Sequence, residues 1–520
     1  MKPSPNQPIT QSPVKGLAVI VMAAGMGTRM RSKRGKALHP VAGKPMVLYA
    51  VELAERFGDA GIAVVVGHQA EHVRDVIRQR QTVPGKTLTL AIVAQQQQLG
   101  TGHAVLQAKP VFAKTVRRNP TRYLILNGDT PLLSDRTIQE MIRTHEDQKA
   151  AVTILTTLLD DATGYGRVVR DEALSGTANG ALTGGVRRIV EDRDASPEER
   201  RIREINVGTY VVEGDFLFSA VDRLQPHNTQ REYYLTDIVQ VAVAQDRQVS
   251  AVRLANSEEG LGVNTRQQLA SAERVIRQQI RDRCLEAGVT MRDPASTWID
   301  AGVTIGCDTV LYPNVTLEGA TVIGEDCVVR SHTRITDCTI GNGVEILESC
   351  VFRESHIEDD AVLGPFVHLR PGVVVRRKAK VGNFVEMKNT ELGEGSKANH
   401  LSYLGDTRIG KHVNIGAGTI TCNYDGVRKY QTVIDDNVFL GSDIQLIAPV
   451  TIGQGALVAA GTTVTQDVPE DALAISRVPQ VNRPGWAARR RAQSKQAPAA
   501  SKASSKRGTA DKLVTPRKRR

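Results

Sequence analysis

Aromatic residues are scarce in this 520-residue chain, where Phe, Trp and Tyr together make up 4%. A core of stacked rings is excluded, so aliphatic side chains must fill any large interior. Cysteine is scarce as well. The six thiols, at 284, 307, 327, 338, 350 and 422, show no CxxC pair and no His/Cys metal spacing. Reduced thiols are expected; several fall in the second half's repeat, where Cys can serve as a small buried apolar residue. No stretch of 18 apolar residues occurs, which excludes a helical membrane span. Residues 1–15 are polar and rich in Pro, Gln and Ser, without the apolar core of a secretory leader.

The folded body also lacks a charge excess. The net charge is +11, but twelve Lys or Arg and one acid fall within residues 486–520. The remaining residues hold 55 basic and 55 acidic side chains. They give no whole-domain case for a nucleic-acid partner. The Ser/Ala/Lys/Arg tail cannot bury a core and reads as a disordered, solvated extension. A docking role for a membrane surface, nucleic acid or another protein is the alternative, and the tail's partner is unknown.

What the chain does have is two periodicities that meet near residue 290. Before it, apolar runs of strand length alternate with helix-like stretches, as in an α/β Rossmann-like sheet. After it, an aliphatic residue followed by a small one returns in multiples of six. Ile305-Gly306 and Ile323-Gly324 are 18 apart, Leu363-Gly364 and Val381-Gly382 likewise, and Ile409-Gly410 and Ile415-Gly416 are 6 apart. A hexapeptide period builds a triangular parallel β-helix. Three hexapeptides per coil predict roughly ten coils, a column on the order of 50 Å long. The expected divisions are a disordered extension at 1–16, a nucleotide-binding domain at 17–264, a helical linker at 265–287, the β-helix at 288–485 and the basic tail at 486–520.

In the first half, Leu17 to Met22 is continuously apolar, as a doubly buried parallel strand should be. It runs into Ala23-Ala24-Gly25, Gly27 and Arg29. Small residues let phosphate oxygens approach backbone N–H groups, and a helix starting there would add its positive end. An ordinary βα turn is the plainer reading, since the spacing is neither GxGxxG nor GxxxxGK[ST]. Lys36 supplies a second cation beside Arg29. The strand Tyr123 to Leu126 is followed by Asn127-Gly128-Asp129, and a carboxylate past the carboxyl end of a parallel strand lies where open sheets bind ligands. With one more oxygen ligand it suits Mg²⁺. A turn-forming Asp is the alternative.

The segment Val19 to Met30 resembles the signature of sugar-phosphate nucleotidyltransferases. Gln95, Gly100-Thr101, Asn127 to Asp129, Thr163 to Gly166, Ile189 to Glu191, Glu204 to Gly208 and Gly262 to Asn264 follow in order. Together they resemble the uridylyltransferase half of the bifunctional N-acetylglucosamine-1-phosphate uridylyltransferase and glucosamine-1-phosphate acetyltransferase family. The resemblance implies that Asp129 and Asn264 hold Mg²⁺, and that Met22, Ala23, Ala24, Gly25 and Lys36 meet the nucleotide. It implies that Gln95, Gly100 and Thr101 read uracil, and that Gly166, Glu191 and Asn206 contact the sugar. Gly35 stands where the family has Pro, and Val207 where it often has Thr. The chemistry implied is in-line attack by a sugar-1-phosphate oxygen on the α-phosphorus of UTP. That attack needs positioning and charge neutralisation but no general base. His39, His68, His72 and His103 are accordingly expected to be structural or exposed.

In the second half, Thr421 to Gln431 is a loop the repeat does not need. Polar clusters surround it, at Arg370, Asn383 to Lys388, Lys397 to Tyr403 and Asn414 to Ala417. A bare scaffold is the alternative for any β-helix. The clusters resemble the acetyltransferase half of the same family, from Gly364 to Pro479. By that resemblance His400 is the general base, the side-chain type whose proton exchange falls near neutral pH. Arg370 and Lys388 grip the sugar phosphate, Tyr403, Asn414 and Asn423 orient substrate, and Ala417, Asn423, Tyr424, Ser442, Ala460 and Arg477 meet acetyl-CoA. Asn399 stands where Gly is frequent. The implied substrates are UTP, acetyl-CoA and glucosamine-1-phosphate. The implied assembly is a homotrimer in the bacterial cytoplasm, with acetyl-transfer sites at subunit boundaries. Two rivals stand beside this reading: a nucleotidyltransferase whose β-helix only oligomerises, and an interaction protein acting through its tail.

Overall fold

The computed structural model describes residues 13–25, 27–79, 90–115, 120–171 and 184–496. The expected extension at 1–12 and the tail from 497 lie outside them. The first half is a twisted sheet with helices on both faces. Its main strand order is Val249–Arg253, Val152–Leu158, Glu204–Glu213, Arg122–Asn127, Leu17–Ala23, Ile62–Val66, Leu90–Ala94. Glu204–Glu213 runs antiparallel to its neighbours, and the other neighbouring pairs are parallel. The central strand Leu17–Ala23 is buried on both faces, which its unbroken apolar run requires. Register places Met22 beside Asn127 and Val65. The ends of three adjacent parallel strands therefore open on one edge, where loops with backbone amides gather.

Residues 14–16, expected within the disordered extension, are tied down instead. Val14 donates its N–H to the Phe57 carbonyl at 2.9 Å, and Gly16 donates to Asp59 Oδ2 at 3.1 Å. The linker forms the helix Arg266–Glu286, opened by a capping box between Thr265 and Gln268.

The second half is a parallel β-helix with faces of 11, 10 and 9 strands. One inward row runs Ile299, Leu317, Ile335, Phe352, Leu369, Met387, Leu404, every member essentially without solvent contact. Cys327, Cys338 and Cys350 are buried within the column, and all six cysteines are free thiols. Corner hydroxyls satisfy backbone groups between coils: Thr309 Oγ1 donates to the Gly324 carbonyl and accepts from Cys327 N–H.

Three features depart from the expected period. Several coils have 17 residues, as the pairings Ile323 with Ile340 and Ile340 with Ile357 show. The corner Gly319-Ala320 is replaced one coil on by Asp337 alone, which takes positive φ of 52°. One coil has 25 residues, because Ile409 pairs with Ile434 across the inserted loop. The strands end at Leu473–Ala474, short of the expected 485, since Pro479 and Pro484 cannot donate to a ladder. From Ile475 the chain forms a separate unit. There Trp486–Gln496 is a helix, exposed over residues 486–494, where disorder was expected. Its run of Ala and Arg has high helix propensity and contains no Pro or Gly.

Candidate functional sites

At the carboxyl edge of the sheet a cavity of about 450 Å³ is lined by Met22 to Gly25, Lys36, Gln95, Gly100, Thr101 and Asn127 to Asp129. The structure thus brings these predicted residues together from four separate segments. Gly25 has open space where a side chain would stand, so its backbone faces the cavity. Gly100 has φ of 105°, and a Cβ there would stand 2.7 Å from the Tyr233 carbonyl oxygen. Only glycine fits such a position. Gln95, nearly buried, donates from Nε2 to the Gly100 carbonyl at 3.0 Å and contacts His103 Nδ1 at 3.1 Å. That leaves His103 supporting the loop. Thr101 Oγ1 accepts from Leu235 N–H at 2.9 Å.

Lys36 Nζ sits between two oxygens, bonded to Asp129 Oδ2 and, at 3.0 Å, to Asn264 Oδ1. These two residues were singled out as the Mg²⁺ ligands. Gly262 leaves room beside them, since a Cβ there would stand 3.5 Å from Asp129 Oδ2. Two hard oxygens converging on one positive charge suit a cation of the Mg²⁺ type. No group of three or more His, Cys, Asp and Glu side chains placed to hold a metal occurs among the described residues.

Asn127 joins this cavity to the residues expected to contact the sugar. Its Nδ2 points at the Gly208 carbonyl at 3.3 Å, Gly208 N–H donates to Asn206 Oδ1 at 3.2 Å, and Asn206 N–H donates to the Gly166 carbonyl at 2.9 Å. A Cβ on Gly166 would lie 3.5 Å from Glu191 Oε1. Burial raises the Glu191 pKa, opposed by the Thr236 hydroxyl and reinforced by Asp237 and Asp194. Asp237 itself is pushed up to about 6 by burial and then by Asp194. Arg29 does not line the cavity. It is exposed, and its Nη1 reaches toward Gly164. Sequence reasoning missed Gln98, which lines the cavity and donates to the Ala24 carbonyl at 2.9 Å. Its place in a run of four Gln gave no signal.

The second set lies on successive coils of the column. His400 is exposed and pairs in register with Asn383. Glu386 pairs with Tyr403, and Lys388 with Gly405. Arg370 Nη1 donates to Glu386 Oε1 at 2.9 Å. A Cβ on Gly405 would stand 2.6 Å from Tyr403 Oη and 2.8 Å from Asn423 Nδ2. The missing side chain therefore leaves room for both phenol and amide. Asn423 also donates to Asp406 Oδ2 at 2.6 Å. The inserted loop folds back through a bridge between Tyr424 and Lys429. The contact and charge of Lys429, then Arg370, lower the Lys388 pKa. Three cations therefore crowd one surface, as a dianionic phosphate would require. Lys429 was not singled out beforehand, although it is a lone Lys on a loop foreign to the repeat.

Asn414 stands between Lys397 and Phe439 on one face. Ala417 accepts from Asp443 N–H, Ser442 accepts from Gly461 N–H, and Gly441 lies against Ala460. These three residues follow one corner down the column. Arg477 belongs to the unit from Ile475.

Comparison with known proteins accords with both halves. Residues 18–304 match the nucleotidyl transferase family, 302–337 the bacterial transferase hexapeptide (six repeats), and 431–466 the hexapeptide repeat of succinyl-transferase. Such repeats go with the left-handed form of the β-helix. The bifunctional protein GlmU of Pelobacter propionicus is 48% identical over 476 residues, covering 91% of this chain and 98% of the relative. That of Geotalea daltonii is 48% identical, covering 90% and 98%. That of Geobacillus sp. is 45% identical, covering 91% and 98%. With its two halves in the same order and nearly the full length of these relatives matched, the chain belongs to the family of bifunctional GlmU proteins.

Proposed function

We propose that the chain makes UDP-N-acetylglucosamine in two steps on two separate sites. On the column, the amine of glucosamine-1-phosphate attacks the acetyl-CoA thioester. His400 takes the amine proton as the N–C bond forms, and the C–S bond breaks to release coenzyme A. Arg370, Lys388 and Lys429 hold the phosphate, while Tyr403, Asn414 and Asn423 orient the amine and steady the oxyanion. Ala417, Asn423, Tyr424, Ser442 and Ala460 are assigned to acetyl-CoA.

On the sheet, the phosphate of N-acetylglucosamine-1-phosphate attacks the α-phosphorus of UTP, and pyrophosphate leaves. Backbone N–H groups from Met22 to Gly25, with Lys36, neutralise the polyphosphate, and Arg29 adds a positive charge from outside the cavity lining. Gln95, Gly100 and Thr101 read the uracil, and Gly166, Glu191 and Asn206 hold the N-acetyl sugar. Asp129 and Asn264 would hold Mg²⁺, which when bound adds positive charge beside the phosphates. The observation that carries this half is the Lys36 ammonium shared by Asp129 and Asn264, a cation site at the strand ends.

The two half-reactions assayed separately test both assignments. Asp129→Ala should silence uridylyl transfer and leave acetyl transfer within twofold of wild type. His400→Ala should do the reverse. Loss of both activities from either change would refute separate sites.

A homotrimer is proposed because the column exposes paired apolar residues. Phe366 and Phe384 stack at 5.0 Å while 49% and 57% exposed, next to Leu401 at 64%. A bacterial cytoplasmic location is proposed on the free thiols. No helix among the described residues is long and apolar enough to cross a membrane.

A further inference from the structure

The hairpin Pro40–Pro45 belongs by sequence to the sheet domain, yet it packs as the first rung of the column. Its turn residues Ala42 and Gly43 both have positive φ, 45° and 75°, the twist that suits a two-residue hairpin. The Ala42 carbonyl accepts from Ala301 N–H at 2.8 Å. Two and three coils further on, the same bond runs to the coil before: Asp337 N–H donates to the Glu318 carbonyl, and Glu354 N–H to the Thr336 carbonyl. Gly43 lies against the Asp300 carboxylate as Gly319 lies against Asp337, and a Cβ on either glycine would collide with it. Val41, Ala42 and Met46 share one apolar cluster with Ile299 and Leu317. The hairpin thus covers the open end of a solenoid, which otherwise needs a cap.

Two side chains lock this cap. Asp300 Oδ1 accepts from Arg277 Nη2 at 3.1 Å, and its Oδ2 accepts from Gly319 N–H at 3.1 Å. Arg277 also donates to the Ile299 carbonyl at 2.9 Å and to Glu273 Oε1 at 2.7 Å, and its guanidinium lies 4.5 Å from the Trp298 ring centre. Glu273 Oε2 accepts from Ala42 N–H at 2.8 Å. Both partners of the Arg277–Asp300 pair are nearly buried, so the pair is shielded from salt and solvent.

The other end of the same hairpin is the nucleotide site. Met46 N–H donates to the His39 carbonyl, and His39 N–H donates to the Lys36 carbonyl. Asn264, the second partner of Lys36, sits at the start of the helix that carries Glu273 and Arg277, with its N–H donating to Gln268 Oε1 at 2.8 Å. Lys36 and Asn264 therefore both enter the site from elements that Arg277 and Asp300 fasten to the column.

We infer that Arg277 and Asp300 are positioning residues for uridylyl transfer: the first coil sets where the Lys36 ammonium stands relative to Asp129. The inference rests on the sheet cavity being the uridylyl-transfer site.

Asp300→Ala and Asp300→Asn in the full chain test it. Three readouts are needed: steady-state uridylyl transfer, acetyl transfer on the same preparation, and amide hydrogen exchange over residues 36–46 without nucleotide or metal. In Asp300→Ala the KM for UTP should rise at least fivefold and kcat should fall at least tenfold. Exchange at 36–46 should quicken at least tenfold while acetyl transfer stays within twofold. Asp300→Asn, whose single amide oxygen can accept from Arg277 or from Gly319 but not at both positions, should recover part of the loss. Unchanged exchange and unchanged KM in a variant with full acetyl transfer would overturn the inference. Equal loss of both activities, the mark of general unfolding, would overturn it too. A wild-type chain without uridylyl transfer would sink the reading of the site, whereas the exchange result judges the joint by itself.

Discussion

His145 is nearly inaccessible, and its Nε2 has no hydrogen-bond partner. Nδ1 meets Thr153 Oγ1 at 3.0 Å, and Glu213 Oε2 stands 3.5 Å from Nε2. This last contact is no ion pair at neutral pH. Burial first, and then the Arg122 charge, hold the His145 pKa down to about 4. Glu146 and Lys149 are the other charged groups lining the same hollow near the ring, with Asp215 and Arg247 beyond. The unfolded chain takes up this proton near 6.5, whereas the fold resists until about 4. The contribution is therefore complete above 6.5 and is lost as pH falls toward 4. At about 1.4 kcal/mol per pKa unit, the loss between 6.5 and 4 is at most about 3.5 kcal/mol. Urea unfolding of the sheet domain across this window should show the decline, and His145→Gln should flatten it. An equal slope in the variant would remove His145 as the cause. His39 is shifted the same way, by burial and then by Arg266 and Arg34. Asp129 was legible because it follows a strand end, and Lys36 because it follows the glycine loop in an ordered signature. Gln98 and Lys429 were not, since their roles come only from what folding brings opposite them.

At the scale of elements, the inserted loop is separable from the coil that carries it. Thr432–Ile434 pairs directly with Thr407–Ile409, and Tyr430 N–H donates to the Asn423 carbonyl at 2.9 Å. The ladder therefore closes beneath the loop. Replacing Tyr424–Lys429 with Gly-Gly removes one phosphate cation and the bridge to Tyr424 but no inward aliphatic. Acetyl transfer should fall at least a hundredfold, or about 2.7 kcal/mol, with the thermal midpoint nearly unchanged and uridylyl transfer intact. Coenzyme A thiol release and circular dichroism melting measure both. A cooperative loss of the column would show that the loop is structural. The coils themselves were legible because each repeats a local pattern of aliphatic then small residue. The 17-residue coils were less so, since one corner residue more or fewer leaves the inward row intact. The capping hairpin left no pattern at all. Its bond joins Ala42 to Ala301, and sequence separation of that size hides contacts that no period announces.

On the whole-molecule scale, the exposed apolar surface of the column calls for a partner. Phe366, Phe384 and Leu401 occupy equivalent corners of successive coils, each at positive φ, and His400 precedes the last of them. In a second region Phe439, Leu457 and Leu473 are 49%, 42% and 63% exposed and adjacent in register. Contiguous apolar patches of this kind mark interfaces, and identical chains most often close them by symmetry. A trimer would bury the Phe ridge and place a neighbouring column beside His400, which alone lies open to water. Light scattering on the wild type should give about three times the 56.4 kDa chain mass. Phe384→Asp puts a charge where the ridge would be desolvated, a cost of several kcal/mol if the surface is buried and almost none if it is free. The variant should dissociate and lose acetyl transfer while uridylyl transfer, on the far domain, persists. A wild-type monomer with full acetyl transfer would show that the column needs no neighbour, and the ridge would then require another occupant.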